Sequence, residues 1–530
     1  MPGDNAHQIP GSPKGDIKPL SLLPLVMLIF FEVSGGPFGT EDAVNAAGPL
    51  LCIIGFIAFP LIWSVPEALM TAELATAFPE NSGYVAWVTA AFGPMWGFQE
   101  GFWSWLSGVT DNGVYPVILA ANLEIFFPQL GQGWTRVAFL FGLSLSLAYL
   151  NYRGLTVVGH TIITAVVVIL VPFIILTLLC IPSVEPKNWI RVDWDNVDWG
   201  TYVNVMFWNL NMWDRVSTLA GEVHNPRRTL PRAMLLAVLL VVLMYLLPTM
   251  AVLGVTNDTD EVQMGFYGRV AEKFGGHWLA VWVVVAAASS SIGQFQAEMA
   301  SDSYQLQGMA ERGFLPKVLG YRSPHDTPTL GILLSSLGVL GVATLDFVSI
   351  VQMLNAIYCL AEILEFAAFI HLRIKCPNLH RPYRVPLPTW ALTLMMLPAF
   401  ALLFIIILLP VYNRNYVNVA CTVGAASMGF ILWPLLQVAR RRGWCEFEPM
   451  HFDVAGVLGP IPPSGVCLPA EEVPHSLEHQ NLRVESAVPG HHALLLEHQR
   501  LSGHEHDHEY EHAENGDSIS EPLLRSSAGR

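Results

Sequence analysis

The chain has 530 residues, 53% hydrophobic and only 13% charged, with a formal net charge of −16. A soluble protein carries about 25% charged residues, so a water-borne enzyme is disfavoured, and without a basic block the sequence offers nothing to nucleic acid. Half of the charge lies after Val438, where 15 Asp/Glu face 7 Lys/Arg, a difference of −8 that describes a tail rather than a soluble partner surface.

The first 19 residues are polar, contain Pro2, Pro10 and Pro13, and lack a cleavable-signal pattern. From residue 20 onward apolar runs alternate with short polar loops. Each run approaches the roughly 20 residues that cross a hydrocarbon core of about 30 Å. In order, the predicted spans are 20–46, 50–77, 93–127, 137–152, 156–181, 202–223, 231–255, 277–307, 328–344, 348–372, 388–410 and 416–438. Runs this long satisfy their own backbone only as helices, which excludes a barrel. The expectation is an all-α polytopic membrane protein of about twelve spans. A cytosolic N-terminus (1–19) and a disordered, acidic, histidine-containing cytosolic tail (439–530) flank a membrane domain (20–438).

Two of the spans are interrupted. The first reads Phe31-Glu-Val-Ser-Gly-Gly-Pro-Phe-Gly39, and three glycines and a proline within five residues do not continue a helix without cost. The sixth reads Met206-Phe-Trp-Asn-Leu-Asn-Met-Trp-Asp214; its asparagines compete for backbone hydrogen bonds, and it ends in a charge. Breaks five spans apart are what a five-plus-five inverted repeat predicts, here 20–181 and 202–372, with unwound backbone facing a solute cavity. Close helix packing at the glycines alone is the competing account.

Carboxylates inside the spans include Glu32, Glu67, Glu73, Glu100, Asp111, Asp214, Glu298, Asp302, Glu362 and Glu365, against Arg215 as the one base of a central span. A charge at mid-bilayer costs at least about 2.5–3.5 kcal/mol, so this excess needs a cation, a proton or water. Glu100 and Asp111 lie eleven residues apart on one helix face, Glu298 and Asp302 are an i, i+4 pair, and Tyr358, Glu362 and Glu365 follow i, i+4, i+7. Glu67 and Glu73 read as structural, and Glu222 as a partner for Arg227 and Arg228. Phe38, Trp208, Trp213 and Tyr358 stand beside the breaks or acids, where an aromatic face adds roughly 0.5–2 kcal/mol for a cation. A flexible molecule with several ammonium groups satisfies separated carboxylates; an amino acid would want N–H groups and no acids nearby.

Lysine and arginine set the orientation. With the N-terminus inside, inner segments carry 16 Lys/Arg and outer ones 6, so both ends are expected in the cytosol. The plasma membrane is the expected location, with an internal membrane as the alternative. The predicted outer loops contain no cysteine, so no disulfide-linked glycoprotein subunit is expected. The stretch His504-Glu-His-Asp-His-Glu-Tyr-Glu-His512 reads as solvated tail before it reads as a metal site, and Glu521-Pro-Leu-Leu524 resembles a dileucine signal.

Several stretches resemble plant polyamine uptake transporters, in the L-type branch of the amino acid–polyamine–organocation superfamily. They are Glu32-Val-Ser-Gly-Gly-Pro-Phe-Gly39 with Glu41-Asp42, Pro60-Leu-Ile-Trp-Ser64, Ala72-Glu-Leu-Ala75, Gly97-Phe-Gln-Glu-Gly-Phe-Trp103, Met206-Phe-Trp-Asn-Leu-Asn211, Ala220-Gly-Glu-Val223, Ala297-Glu-Met299, Leu364-Glu-Phe-Ala-Ala-Phe369 and His380-Arg-Pro-Tyr-Arg-Val-Pro386. The resemblance runs in order through roughly residues 20–410. It implies a LeuT-type fold with broken helices one and six, and proton symport of putrescine, spermidine or spermine, with the dication paraquat also handled. It places Trp208 at a gating tryptophan, Asp214 at a substrate acid, and Gly35 and Gly36 at the unwound first helix. Glu298 falls near an eighth-helix tryptophan of bacterial relatives. Ser104 replaces an expected lysine, and Glu362 is an additional acid.

The candidate substrate-binding residues are therefore Glu32, Ser34, Gly35, Gly36, Phe38, Asp111, Trp208, Asn211, Asp214, Glu298 and Tyr358, and the candidates for proton coupling are Glu100, Asp302 and Glu362. No catalytic residue, metal or cofactor is expected. An exchanger of cationic or neutral amino acids, and a transporter-like polyamine receptor, are the alternative readings.

Overall fold

The computed structural model describes residues 20–450 except 125–126, 257–261, 264 and 343–346. The histidine stretch and the dileucine-like segment lie outside the described residues. Those described form α1 (Leu22–Val33), α2 (Thr40–Phe59), α3 (Val65–Ala77), α4 (Tyr84–Phe92), α5 (Pro94–Asn112), α6 (Val114–Glu124), α7 (Gly133–Tyr152) and α8 (Leu155–Cys180). They continue with α9 (Trp199–Trp208), α10 (Pro226–Gly254), α11 (Phe266–Gly275), α12 (His277–Glu311), α13 (Thr329–Val342), α14 (Phe347–Lys375), α15 (Thr389–Tyr412) and α16 (Tyr416–Arg441). There is no strand among the described residues.

Eight helical stretches among them are long and apolar enough to cross a membrane. Their outer faces keep large apolar side chains uncovered. Leu235, Leu239 and Leu243 on α10, Leu394, Leu397 and Leu408 on α15, and Ile431 and Leu435 on α16 are all exposed. An apolar belt of this extent belongs against lipid, not water. The chain is thus an all-α polytopic membrane protein. On one side α15 and α16 rest on inner helices through ring contacts, Phe366 with Phe400 at 5.5 Å and Phe98 with Trp433 at 5.3 Å.

Both sequence-marked interruptions are real breaks. α1 ends at Val33, Ser34 is extended, and Gly36 and Gly39 take φ of +112° and +82° before α2 begins at Thr40. Only glycine adopts those angles without strain. α9 ends at Trp208, Met212 sits at φ +69°, and the chain resumes as a 3₁₀ turn over Arg215–Glu222. A left-handed methionine is a strained position held by its surroundings. One isolated bridge ties the two broken segments together at one end: Leu20 donates its N–H to Glu222 O at 2.7 Å, and His224 N–H donates to Leu20 O at 2.9 Å.

Gly48, at φ +79°, separates the first predicted span from the second inside α2, where the sequence reading put the boundary. Three features depart from that reading. A π-helical turn at Pro60–Ser64 joins α2 to α3. The short helices α4 and α11 fill predicted connections. The chain after α16 is also ordered by contact: Lys317 N–H donates to Glu446 O at 2.8 Å, and the Lys317 ammonium lies 2.7 Å from Glu448.

Candidate functional site

The two breaks frame a cavity of about 440 Å³. Glu32, Gly35, Gly36, Phe38, Asp111, Trp208 and Asn211 line it, together with residues of α11 and α12. The α12 wall approaches very closely: a Cβ at Gly35 would stand 2.0 Å from Ser290 Oγ and 2.2 Å from Gln294 Oε1. Glycine therefore lets the unwound backbone lie against α12. Glu32 accepts a 2.5 Å hydrogen bond from Ser301 Oγ at one oxygen, while its other oxygen is buried without a partner. Asp111 accepts from Trp208 Nε1 at 2.9 Å and from the Tyr115 hydroxyl. That bond fixes the indole at the edge of the second break.

Beside the cavity Arg215 is fully buried, its Nη1 3.3 Å from both Glu298 and Asp302. The i, i+4 pair read from the sequence thus grips one guanidinium. Space for the trio comes from Gly108 on α5. A Cβ there would meet Asp302 Oδ1 at 2.1 Å, Arg215 Nη1 at 2.4 Å and Glu298 Oε1 at 2.6 Å. Two acids and one base leave a negative excess even before Glu32 is counted.

A second group gathers at the other break. Glu67 Oε1 accepts from the backbone N–H of Trp213 (2.6 Å) and Asp214 (3.2 Å), satisfying donors freed where α9 unwinds. The Tyr358 hydroxyl accepts from Met212 N–H at 3.0 Å and lies 2.8 Å from both Glu67 Oε1 and Asp214 Oδ1. A phenol has one proton, so it serves only one of the two carboxylates at a time. Glu67, Asp214 and Glu362 each bring an oxygen within 4.8 Å of the others, and all three are buried. Three carboxylates this close do not all carry charge without a proton or cation among them. The π-turn helps aim α3 here, as Ser64 Oγ donates to Leu210 O at 3.1 Å.

The candidate set therefore divides. Seven of the eleven substrate candidates line the cavity, whereas Ser34, Asp214, Glu298 and Tyr358 stand behind its wall. Ser34 Oγ accepts from Gly36 N–H at 3.2 Å and shapes the first break. Among the proton candidates, Asp302 joins Arg215, Glu362 joins Asp214, and Glu100 accepts from Ser104 Oγ at 2.8 Å with Glu365 beside it.

Glu67 has the structural role read from the sequence, and its place is at the second break, where it accepts from the backbone N–H groups of Trp213 and Asp214. Glu73 is structural, held by Arg373 and Arg381. The expected pairing of Glu222 with Arg227 and Arg228 gives way to Arg322 at 2.6 Å and Asn81 at 2.8 Å. The sequence reading also missed Glu41, Tyr267 and Gln294 in the cavity wall. Glu41 was visible within the first-break motif.

The end of the bundle that carries Glu222 is closed by polar stitching. Arg312 pairs with Glu80 at 2.5 Å and donates to Ser82 at 2.8 Å; Arg322 binds Glu222 and, at 3.3 Å, Asp326. The cavity is lined toward the other end by Arg269, Glu272 and His277 of the α11 region.

Apolar helices around a cavity that holds buried acids, with backbone unwound into it, define the class of membrane permeases. Residues 20–427 match the family described as amino acid permease, and the chain belongs to that family. It is 48% identical over 449 residues to a probable polyamine transporter of Arabidopsis thaliana, covering 84% of this chain and 92% of the relative. It is 48% identical to polyamine transporter PUT1 of Oryza sativa subsp. japonica over 84% of this chain and 85% of the relative. Polyamine transporter RMV1 of Arabidopsis thaliana is 46% identical, with 84% and 91% covered.

Proposed function

We propose that this chain imports polyamines by proton symport. The observation that carries the reading is the cavity between the two breaks, which the acids Glu32 and Asp111 line. An ammonium group there meets Glu32 and Asp111, with Trp208 and Phe38 offering aromatic faces. The names of the relatives, polyamine transporters over most of the chain, favour the same substrate class.

In this reading the residues behind the wall serve coupling. Asp214 with Glu67, Glu362 and Tyr358 holds protons at the second break; Glu298 and Asp302 balance Arg215. Glu100 and Glu365 extend the acidic series along α5 and α14. Substrate and protons together neutralise the excess acids, and the bundle then rocks to open its stitched end. The helices group into twelve spans arranged as two inverted repeats of five plus two. Both termini are cytosolic, the α11 end faces outward at the plasma membrane, and no disulfide-linked glycoprotein subunit is needed.

The test is labelled spermidine uptake into proteoliposomes with and without an inward proton gradient. Gradient-stimulated uptake, competed by putrescine but not by leucine or arginine, is the expected result. Amino-acid exchange without spermidine uptake refutes the substrate. Spermidine uptake indifferent to the gradient refutes the coupling.

A further inference from the structure

The cavity carries acids at two levels. Glu32 meets Ser301, far along α12, and Asp111 meets Trp208, whereas Glu272 lies just before α12 begins at His277, and Glu41 and Asp42 follow Thr40, which Tyr267 of α11 touches. Between them the wall is aromatic: Phe38 packs edge-on against Phe173 at 5.3 Å, and Phe173 against Tyr267 at 5.5 Å. An acid–apolar–acid sequence along one cavity matches a chain whose cationic nitrogens are separated by methylenes.

Glu41 is held by the first break itself. Its Oε2 accepts from Gly39 N–H at 3.1 Å, and Gly39 has the left-handed φ of +82° that directs that N–H. Tyr267 fixes α11 over the same turn, its hydroxyl 2.7 Å from Thr40 Oγ1 and 2.9 Å from Thr249 Oγ1. Asp42 and Arg269 are the charged groups near Glu41, and Glu272 and His277 line the same cavity. His277 lies 3.5 Å from Glu272, and no ion pair to Glu41 is present among the described residues. Three acids, Glu41, Asp42 and Glu272, therefore line the cavity on this side. At the other level, Glu32 has Glu298 beside it, and its second oxygen is buried with no hydrogen-bond donor among the described residues.

The geometry points to Glu41 as an outer subsite for the distal ammonium of long polyamines, making it a determinant of chain-length selectivity. This rests on the polyamine reading above. A diamine is satisfied at Glu32 and Asp111. Tri- and tetra-amines also reach Glu41, and their methylenes lie along Phe38 and Tyr267. The competing role of Glu41, a carboxylate in the first turn of α2 that merely steadies the helix, predicts no dependence on substrate length.

The test compares half-saturation for putrescine, spermidine and spermine uptake by full-length wild type, Glu41→Gln and Glu41→Asp in proteoliposomes, with thermal unfolding as a fold check. The expected result is a fall of about tenfold in the spermine-to-putrescine affinity ratio for Glu41→Gln, the size of one lost charge contact. Spermidine should fall in between, and Glu41→Asp should largely restore the ratio. An unchanged ratio in a folded Glu41→Gln protein overturns the subsite. If Glu41→Gln does not fold, Glu41→Ser takes its place as the uncharged variant, and an unchanged spermine-to-putrescine ratio in the folded Glu41→Ser protein overturns the subsite too. A wild type that takes up none of the three amines sinks the polyamine reading itself, a failure distinct from an unchanged ratio.

Discussion

At the residue scale, Asp214 and Gly108 are the informative positions. Asp214→Asn removes one charge from the three-carboxylate group but keeps an oxygen able to accept from Tyr358. The fold should therefore survive, while on the proposed coupling role uptake of spermidine should drop by more than about tenfold. Uptake and thermal unfolding measured on the same sample separate the two effects; wild-type uptake would remove Asp214 from the mechanism. Gly108→Ala puts a methyl where Asp302, Arg215 and Glu298 converge. Overpacking of this kind costs about 1–3 kcal/mol, and a broken buried ion pair costs about 3–5 kcal/mol. The variant should melt at a clearly lower temperature in detergent. An unchanged melting curve would mean that the helices have slack at this crossing.

At the element scale, the legible features were those encoded locally. Three glycines and a proline mark the first break, two asparagines and a charge mark the second, and i, i+4 spacing brings Glu298 and Asp302 to one guanidinium. What escaped depends on distant chain. Asp214 lies at the break, yet it joins Glu67 and Tyr358, which reach it from α3 and α14. Glu222 finds Arg322, one hundred residues away, rather than its neighbours in sequence. α4 and α11 are too short for a span-length window, so they read as loops.

Helix-to-loop fit gives this scale its prediction. At Gly308 a Cβ would meet backbone atoms of Ser82 and Asn81 at 2.5–2.6 Å, and backbone has little freedom to retreat. Gly308→Ala should push α12 from the 81–82 turn and loosen Arg312 from Ser82. The expected loss is about 1–3 kcal/mol, seen as reduced thermal stability. A fully wild-type melting curve would show that this turn yields.

At the scale of the whole molecule, the asymmetry between the two ends is the central fact. The cavity is lined toward α11, whereas the opposite end is stitched by Glu222, Arg322, Asn81, Arg312 and Glu80. Burial opposes the charge of Arg322, but Glu222 beside it outweighs burial and raises the guanidinium above its ordinary range. Arg322 accordingly stays charged at any working pH, and no ordinary pH change unlocks the end from its side. On the proposed mechanism, opening this end then calls for movement of the elements that carry the pair. Glu222→Gln leaves the amide able to meet Asn81 but removes the charge facing Arg322, an interaction typical of partly buried pairs worth about 1–3 kcal/mol. The closed end should then open more often. A cysteine placed at Ser323, beside the stitched network, should react faster with a membrane-impermeant thiol reagent in the Glu222→Gln background. Half-saturation for uptake should rise, because fewer molecules present the α11-side cavity. Saturating spermidine from that side, by favouring the form that binds it, should slow the labelling again. Labelling that ignores both the charge and the substrate would mean that the stitches stabilise the fold without governing which end is open.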